Sequence, residues 1–217
     1  MRAVLFDLDG VLVDSYAAHM RSWRRLAAEE GLPFSEREFA RSFGRTSRES
    51  IAIYWPGRAG DTARLDARKE ALFRADIRER FPAMDGGTEL VRALHDGGFA
   101  LAVASSAPPD NVDLTLERLG FADSFGAVVT GRDVQRGKPD PQVFLLAAER
   151  LGAPPASCVV VEDAPVGVAA AHAGGMKAVA LLSTGRRRED FDEAKPQLLV
   201  SSLRELSPAD FERLLTG

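Results

Sequence analysis

VLFDLDGVLVDS, residues Val4–Ser15, is the stretch whose reading decides the fold. An apolar run near the start of the chain is broken by two carboxylates, Asp7 and Asp9. A carboxylate at a buried strand end is costly unless a cation or hydrogen-bond donors meet it. Two residues apart on an extended backbone, Asp7 and Asp9 face one side while Leu8 faces the other. Gly10 supplies the freedom needed to turn out of a sheet. A cap on the next helix would explain one acid. A pair on one face of a strand end asks instead for a metal or a reaction.

Further apolar runs follow: FALAVASS from Phe99, AVVT from Ala127, CVVVED from Cys158, KAVALL from Lys177 and QLLVSS from Gln197. Near-continuous runs of this kind suit a parallel sheet covered on both faces. Helical stripes lie between them, such as Phe144, Ala147, Ala148 and Leu151 before Gly152, and Val112, Thr115, Leu116 and Leu119 before Gly120. Strand and helix alternate from Gly86 onward, which predicts a doubly wound α/β fold with a parallel, Rossmann-like sheet. The span from Ser15 to Phe81 is far longer than a crossover needs and reads as helical throughout. It predicts an inserted, mainly helical cap domain over residues 15–81, with the core built from 1–14 and 82–217.

Ligands in open α/β sheets sit beyond the carboxyl ends of the strands. There the second strand carries Ser105 and Ser106, leading into Ala107-Pro108-Pro109. Their hydroxyls and amides form either an oxyanion cradle or an ordinary helix start. Lys138, gripped in RGKPDP between Gly137 and Pro139, supplies the positive charge that Asp7 lacks. The fourth strand ends in Glu162-Asp163, hard oxygen donors suited to Mg²⁺, with an N-cap as the plainer role for Asp163. Together these groups describe a phosphate-transfer site on four strand ends.

FDLDGVLVDS, VASS, GKPDP and VVVEDAPVGVAAAHAGG, in that order, resemble the haloacid dehalogenase superfamily of phosphohydrolases. The insertion after the first motif resembles its β-phosphoglucomutase and sugar-phosphatase branch. The resemblance implies Asp7 as the nucleophile that becomes an aspartyl phosphate, and Asp9 as the general acid and base. It implies Mg²⁺ held by Asp7, the main-chain carbonyl of Asp9 and Asp163, with Glu162 as a direct or neighbouring partner. Ser105, the Ser106 amide and Lys138 would hold the phosphoryl oxygens. A carboxylate at Asp9 separates phosphate transfer from the metal-free carbon–halogen cleavage that named the superfamily. In the helical insertion, His19 and Arg48 match residues that approach the active site in the mutase branch, which leaves a phosphomutase as the alternative to a phosphatase. His19 reads equally as a packed residue, and Arg45, Arg48 and Arg68-Lys69 either bind a distal phosphate or form solvated helix faces. Trp23 reads as core of the insertion, and His95 and His172 as surface or packing residues.

The 217 residues carry a net charge of -4, which argues against nucleic acid or an anionic membrane as the main partner. Arg186, Arg187 and Arg188 are followed at once by Glu189, Asp190 and Asp192, the pattern of a solvated loop. The single cysteine, Cys158, excludes an internal disulfide and a Cys-based zinc site, and reads as a small core residue. No cationic leader precedes the first apolar run and no stretch is long enough to span a bilayer. The expectation is a cytoplasmic enzyme, monomer or weak dimer, acting on a small phosphorylated metabolite.

Overall fold

A computed structural model describes residues 1–216. Strand β1 (Ala3–Phe6) is followed by helices α1 (Tyr16–Glu30), α2 (Glu36–Ser42), α3 (Ser47–Tyr54), α4 (Thr62–Glu79) and α5 (Gly87–Asp96). Then come β2 (Ala100–Ala104), α6 (Pro109–Leu119), β3 (Ala127–Val129), α7 (Gln142–Leu151) and β4 (Cys158–Glu162). The chain closes with α8 (Pro165–Ala173), β5 (Lys177–Leu181), β6 (Leu198–Val200) and α9 (Pro208–Thr216). It divides into two compact units: Met1–Asp14 with Ala83–Gly217, and Ser15–Pro82. Among the described residues no helix is long and apolar enough to cross a membrane.

In the first unit the strands form one parallel sheet in the order β3-β2-β1-β4-β5-β6. This is the doubly wound α/β arrangement that the strand runs predict. Strand β1 lies in the middle, with Ala3–Phe6 in register with Ala100–Val103 on one side and Cys158–Val161 on the other. It is buried on both faces, which is why its sequence does not alternate. On one face Ala3, Leu5, Ala102, Val160 and Ala178 pack with Phe144 and Ala147 of α7 and Val168 and Ala171 of α8. On the other, α5 lies against β2 and α9 against β4. Each fully buried Val or Leu contributes roughly 1.5–3 kcal/mol, and such stabilisation lets the strand ends hold desolvated charge. The chain runs outward from β1 through β2 to β3, then crosses back to β4 on the other side of β1. The switch point therefore falls at the carboxyl ends of β1 and β4, where an open sheet leaves a crevice.

The second unit is helical, as its apolar spacing predicts. Helix α1 packs along α4 around Trp23, Leu26, Phe39, Ile51, Leu65 and Leu72. Trp55 is buried with its indole N–H donating to the Pro33 carbonyl at 2.8 Å. Thr46 and Glu49 form a capping box that starts α3, and Gly31 ends α1 in the left-handed region. Arg64 with Glu30 and Arg68 with Glu29 pair across α1 and α4.

Candidate active site

Asp7 follows β1 directly and is buried, its amide donating to the Val161 carbonyl at 3.0 Å. The chain then turns tightly: the amides of Leu12 and Val13 return to the Leu8 carbonyl, and that of Gly10 donates to Val13. Gly10 has φ +82°, and a Cβ there would lie 2.3 Å from Asp163 Oδ2, so the close approach of this turn to Asp163 requires glycine. Asp9 is half-buried at the mouth of the turn, with its backbone bridged to Val13.

Lys138 arrives from the loop between β3 and α7. Its Nζ donates to Asp7 Oδ1 at 2.6 Å and to Glu162 Oε1 at 2.5 Å, with the ammonium 4.8 Å from the centre of the Phe144 ring. Burial alone would lower the lysine pKa, but the two carboxylates outweigh it and hold the ammonium firmly charged. Glu162 uses its second oxygen, Oε2, to accept from the amides of Asp163 and Ala164 at 2.9 and 2.8 Å. Glu162, rather than Asp163, thus satisfies the amides leading into α8, and both of its oxygens are engaged.

Asp163 points to the other side, toward the Gly10 turn. Its Oδ2 accepts from the Thr184 hydroxyl at 2.8 Å. Burial, followed by the Glu162 charge, pushes its carboxyl up to about 7, against the pull of Arg186, the Thr184 hydroxyl and Lys138. Burial likewise raises Asp7 well above the ordinary carboxylate range, with Glu162 and Asp163 adding to the effect and Lys138 opposing it. Among the described residues, Asp7, Glu162 and Asp163 form a group whose ligand oxygens lie within 4.8 Å of one another. Three buried carboxylates beside one ammonium have the hard-oxygen chemistry and the charge imbalance that a small divalent cation would correct. The residues fit such an ion.

Ser105 is buried at the end of β2, its amide donating to the Val129 carbonyl and its hydroxyl oxygen accepting from the Ala107 amide at 3.0 Å. The loop after β3 braces it: the Gly131 amide donates to the Ala107 carbonyl, and a Cβ on Gly131 would lie 2.4 Å from the Ser106 carbonyl oxygen. That loop is pinned by Asp133, which accepts from the Thr130 amide and hydroxyl, both at 2.8 Å, and pairs with Arg150 at 2.6 Å. Asn111, on the first turn of α6, is buried as well.

A family model described as haloacid dehalogenase-like hydrolase matches residues 1–175. The chain belongs to this family. Validoxylamine A 7'-phosphate phosphatase of Streptomyces hygroscopicus subsp. limoneus is 32% identical over 184 residues, which cover 84% of this chain and 86% of that protein. Beta-phosphoglucomutase of Bacillus subtilis is 32% identical over 188 residues, 82% of each chain. A haloacid dehalogenase hydrolase of family IA, variant 3, from Entamoeba histolytica superposes with a TM-score of 0.90 at 25% identity, covering 100% of both chains. This haloacid dehalogenase-like hydrolase is accordingly an enzyme that acts on phosphoesters.

The structure of the hydrolase brings Asp7, Lys138, Glu162 and Asp163 into direct contact or near it, and sets Asp9, Ser105 and Ser106 on the same edge of the sheet. His19 and Arg48 belong to the helical unit. There His19 is buried, stacked on Phe73 with ring centres 3.9 Å apart, and its Nδ1 lies 2.7 Å from Lys69 Nζ. Lys69 is buried too and bonds Glu70 at 2.9 Å, which also accepts from Ser47. Arg48 has 71% of its side chain exposed and pairs with Asp66 at 2.9 Å.

Sequence reading missed Ser183, Thr184 and Arg186, which bring the end of β5 into the site. The basic run is not uniformly solvated as expected: Arg187 and Arg188 are exposed, but Arg186 is half-buried and its charge acts on Asp163. The end of KAVALL was open to the same inspection as the other strand ends, but the three residues directly after it, Ser183-Thr184-Gly185, include neither an acid nor a lysine to draw notice.

Proposed function

We propose that this chain is a Mg²⁺-dependent phosphatase of small phosphorylated metabolites, sugar phosphates foremost, working through an aspartyl phosphate on Asp7. The observation that carries the reading is the buried ammonium of Lys138 on Asp7, 2.6 Å away, beside a carboxylate cluster at the switch point of the sheet. A free carboxylate is repelled by a phosphate dianion, so the site must place positive charge around both. Asp7, the main-chain carbonyl of Asp9 and Asp163 would hold Mg²⁺ with Glu162 alongside, and the ion when bound supplies charge that offsets this repulsion.

In this scheme an Asp7 oxygen attacks phosphorus and the ester P–O bond breaks. Asp9 protonates the departing oxygen. The Asp9 carboxylate then takes a proton from water, whose oxygen attacks the phosphorus, and the Asp7 carboxylate leaves as inorganic phosphate forms. Ser105, the Ser106 amide and Lys138 hold the phosphoryl oxygens, while Glu162 keeps Lys138 in place. We assign substrate choice to the helical unit, with Arg48 and His19 as its contributing residues. Cytoplasmic location fits charged metabolites that do not cross a bilayer unaided.

A phosphomutase is the second reading, favoured by the Bacillus subtilis relative named beta-phosphoglucomutase. The test is phosphate release across a panel of phosphorylated metabolites, with and without Mg²⁺. One arm follows isomer formation from β-glucose 1-phosphate primed with a bisphosphate. Mg²⁺-dependent release of inorganic phosphate supports the phosphatase. Isomer formation far faster than phosphate release selects the mutase, and turnover indifferent to chelation defeats the metal-dependent scheme.

A further inference from the structure

Beyond the end of β5 the backbone does something unusual. Thr184 has φ +57°, the left-handed region, where a β-branched residue is crowded. Gly185 follows it with φ +75°, so this turn already uses a residue suited to that conformation at the adjacent position. A β-branched residue persists in such a place only when its surroundings over-determine it.

The surroundings of Thr184 are two parts of the site. Its hydroxyl donates to Asp163 Oδ2 at 2.8 Å, and its methyl lies 3.0 Å from where a Cβ of Gly10 would stand. The neighbouring Ser183 hydroxyl donates to the Gly10 carbonyl at 2.5 Å. The two hydroxyls together clasp the carboxylate after β4 and the turn after β1, which lie on adjacent strands. Lys195, another non-glycine residue with positive φ, is exposed and unbranched at Cβ, and it lies on the far side of the loop after β5.

We propose that Thr184 is a positioning residue: its hydroxyl fixes the Asp163 carboxylate in the orientation that receives a divalent cation, at a cost in backbone strain. The inference rests on the reading that Asp163 is a cation ligand, and goes beyond it in assigning the orientation to a residue outside the carboxylate cluster. Oriented partners of a metal ligand are worth about 10- to 100-fold in metal affinity.

The experiment measures Mg²⁺ affinity by calorimetry, and melting temperature in chelator, for the parent and for Thr184→Gly, Thr184→Ser and Thr184→Val. Thr184→Gly relieves the backbone and removes the hydroxyl, so its metal-free melting temperature is expected to equal or exceed the parent's, while Mg²⁺ binds about 10- to 100-fold more weakly. Thr184→Val keeps the branched shape without the hydroxyl and should lose the same affinity with no gain in melting temperature. Thr184→Ser should bind within about threefold of the parent, because the hydroxyl is retained. A purely structural threonine would move stability and affinity together, whereas these variants separate them. Parent-like Mg²⁺ affinity in Thr184→Gly and Thr184→Val, or equal loss in Thr184→Ser, overturns the role of Thr184 while leaving the cation site standing. A parent that binds no Mg²⁺ overturns the cation site itself, and the role of Thr184 with it.

Discussion

Gly167→Ala should be damaging even though it replaces glycine by the best helix former. Gly167 lies in the first turn of α8, where an alanine would ordinarily gain about 1 kcal/mol of helix propensity. Here a Cβ would stand 1.9 Å from Glu162 Oε1, 2.0 Å from its Cδ and 2.6 Å from its Cγ. Three atoms of one side chain are in the way, so rotation of the far end does not relieve the clash. Glu162 is 1% exposed and holds bonds of 2.5, 2.9 and 2.8 Å to Lys138 and the amides of Asp163 and Ala164. Moving it sacrifices all three.

Hydrogen bonds to a charged group contribute roughly 1.5–3 kcal/mol each, and three on one carboxylate do not add fully. The loss is comparable to that of a buried ion pair deprived of one partner, about 3–5 kcal/mol. After the helix gain, a net loss of about 3 kcal/mol lowers the melting temperature of a chain this size by about 10 °C. Lys138, released from Glu162, should also lose its aim at the phosphoryl group, with a fall in kcat of about 10²-fold. Circular dichroism melting and phosphate-release kinetics measure both effects. Gly57→Ala is the control, because a Cβ there meets nothing within 4 Å. A Gly167→Ala protein that melts with the parent and turns over normally would show that Glu162 is not held against α8 and that Lys138 does not depend on it.

Asp7→Asn should keep the far-UV circular dichroism of the parent while hydrolysis of an aryl phosphate falls by at least about 10³-fold; turnover at the parent rate would remove Asp7 as the nucleophile. Asp163, raised by burial and then Glu162 to about 7 in the fold against an ordinary 3.8, keeps its proton in the native state when the unfolded chain has lost it, so metal-free stability should decline as pH rises from about 4 to 7. Mg²⁺ affinity should strengthen over the same window, because binding requires the ionised carboxylate; calorimetry at a series of pH values checks it, and a flat profile would contradict it. Asp133 is held down to about 2 by Arg150 and by the Thr130 amide and hydroxyl, so it stabilises the fold above the ordinary carboxylate range and loses this as pH falls through about 2. Its side chain is 27% exposed, so after solvent screening Asp133→Ala should cost about 1 kcal/mol in urea titration at pH 7, and no change would show that the pin on the loop after β3 is idle.

The strands were legible because a sheet buried on both faces writes itself as unbroken apolar runs, and the acids and lysine stood out against them. Side chains that meet across distant segments were not. Glu162 and Asp163 are adjacent, so they must point to different sides, but only the path into α8 determines that Glu162 takes the amides. Arg150 reaches Asp133, and Lys69 reaches His19, through packing that no local spacing encodes. Thr184 was hidden for another reason. The left-handed turn it occupies is announced by Gly185, and a threonine in front of a glycine reads as ordinary loop chemistry.

The charge layout explains why the end of β5 matters to a site that the first and fourth strands define. Lys138 sits between Asp7 and Glu162 and satisfies one oxygen of each. Glu162 is completed by two amides, so its charge is answered within the fold. Asp163 has a hydroxyl from Thr184 and the more remote charges of Arg186 and Lys138, and burial drives its carboxyl up to about 7. The unanswered negative charge therefore gathers on the side where Asp163 faces the Gly10 turn. A carboxyl group left so poorly compensated would be expected to rotate away unless something held it in place, and the Thr184 hydroxyl is the group in position to do so. Strain at Thr184 and charge at Asp163 are then two sides of one arrangement: the fold carries the cost of both, and a bound cation would offset the charge that the strained residue holds in place.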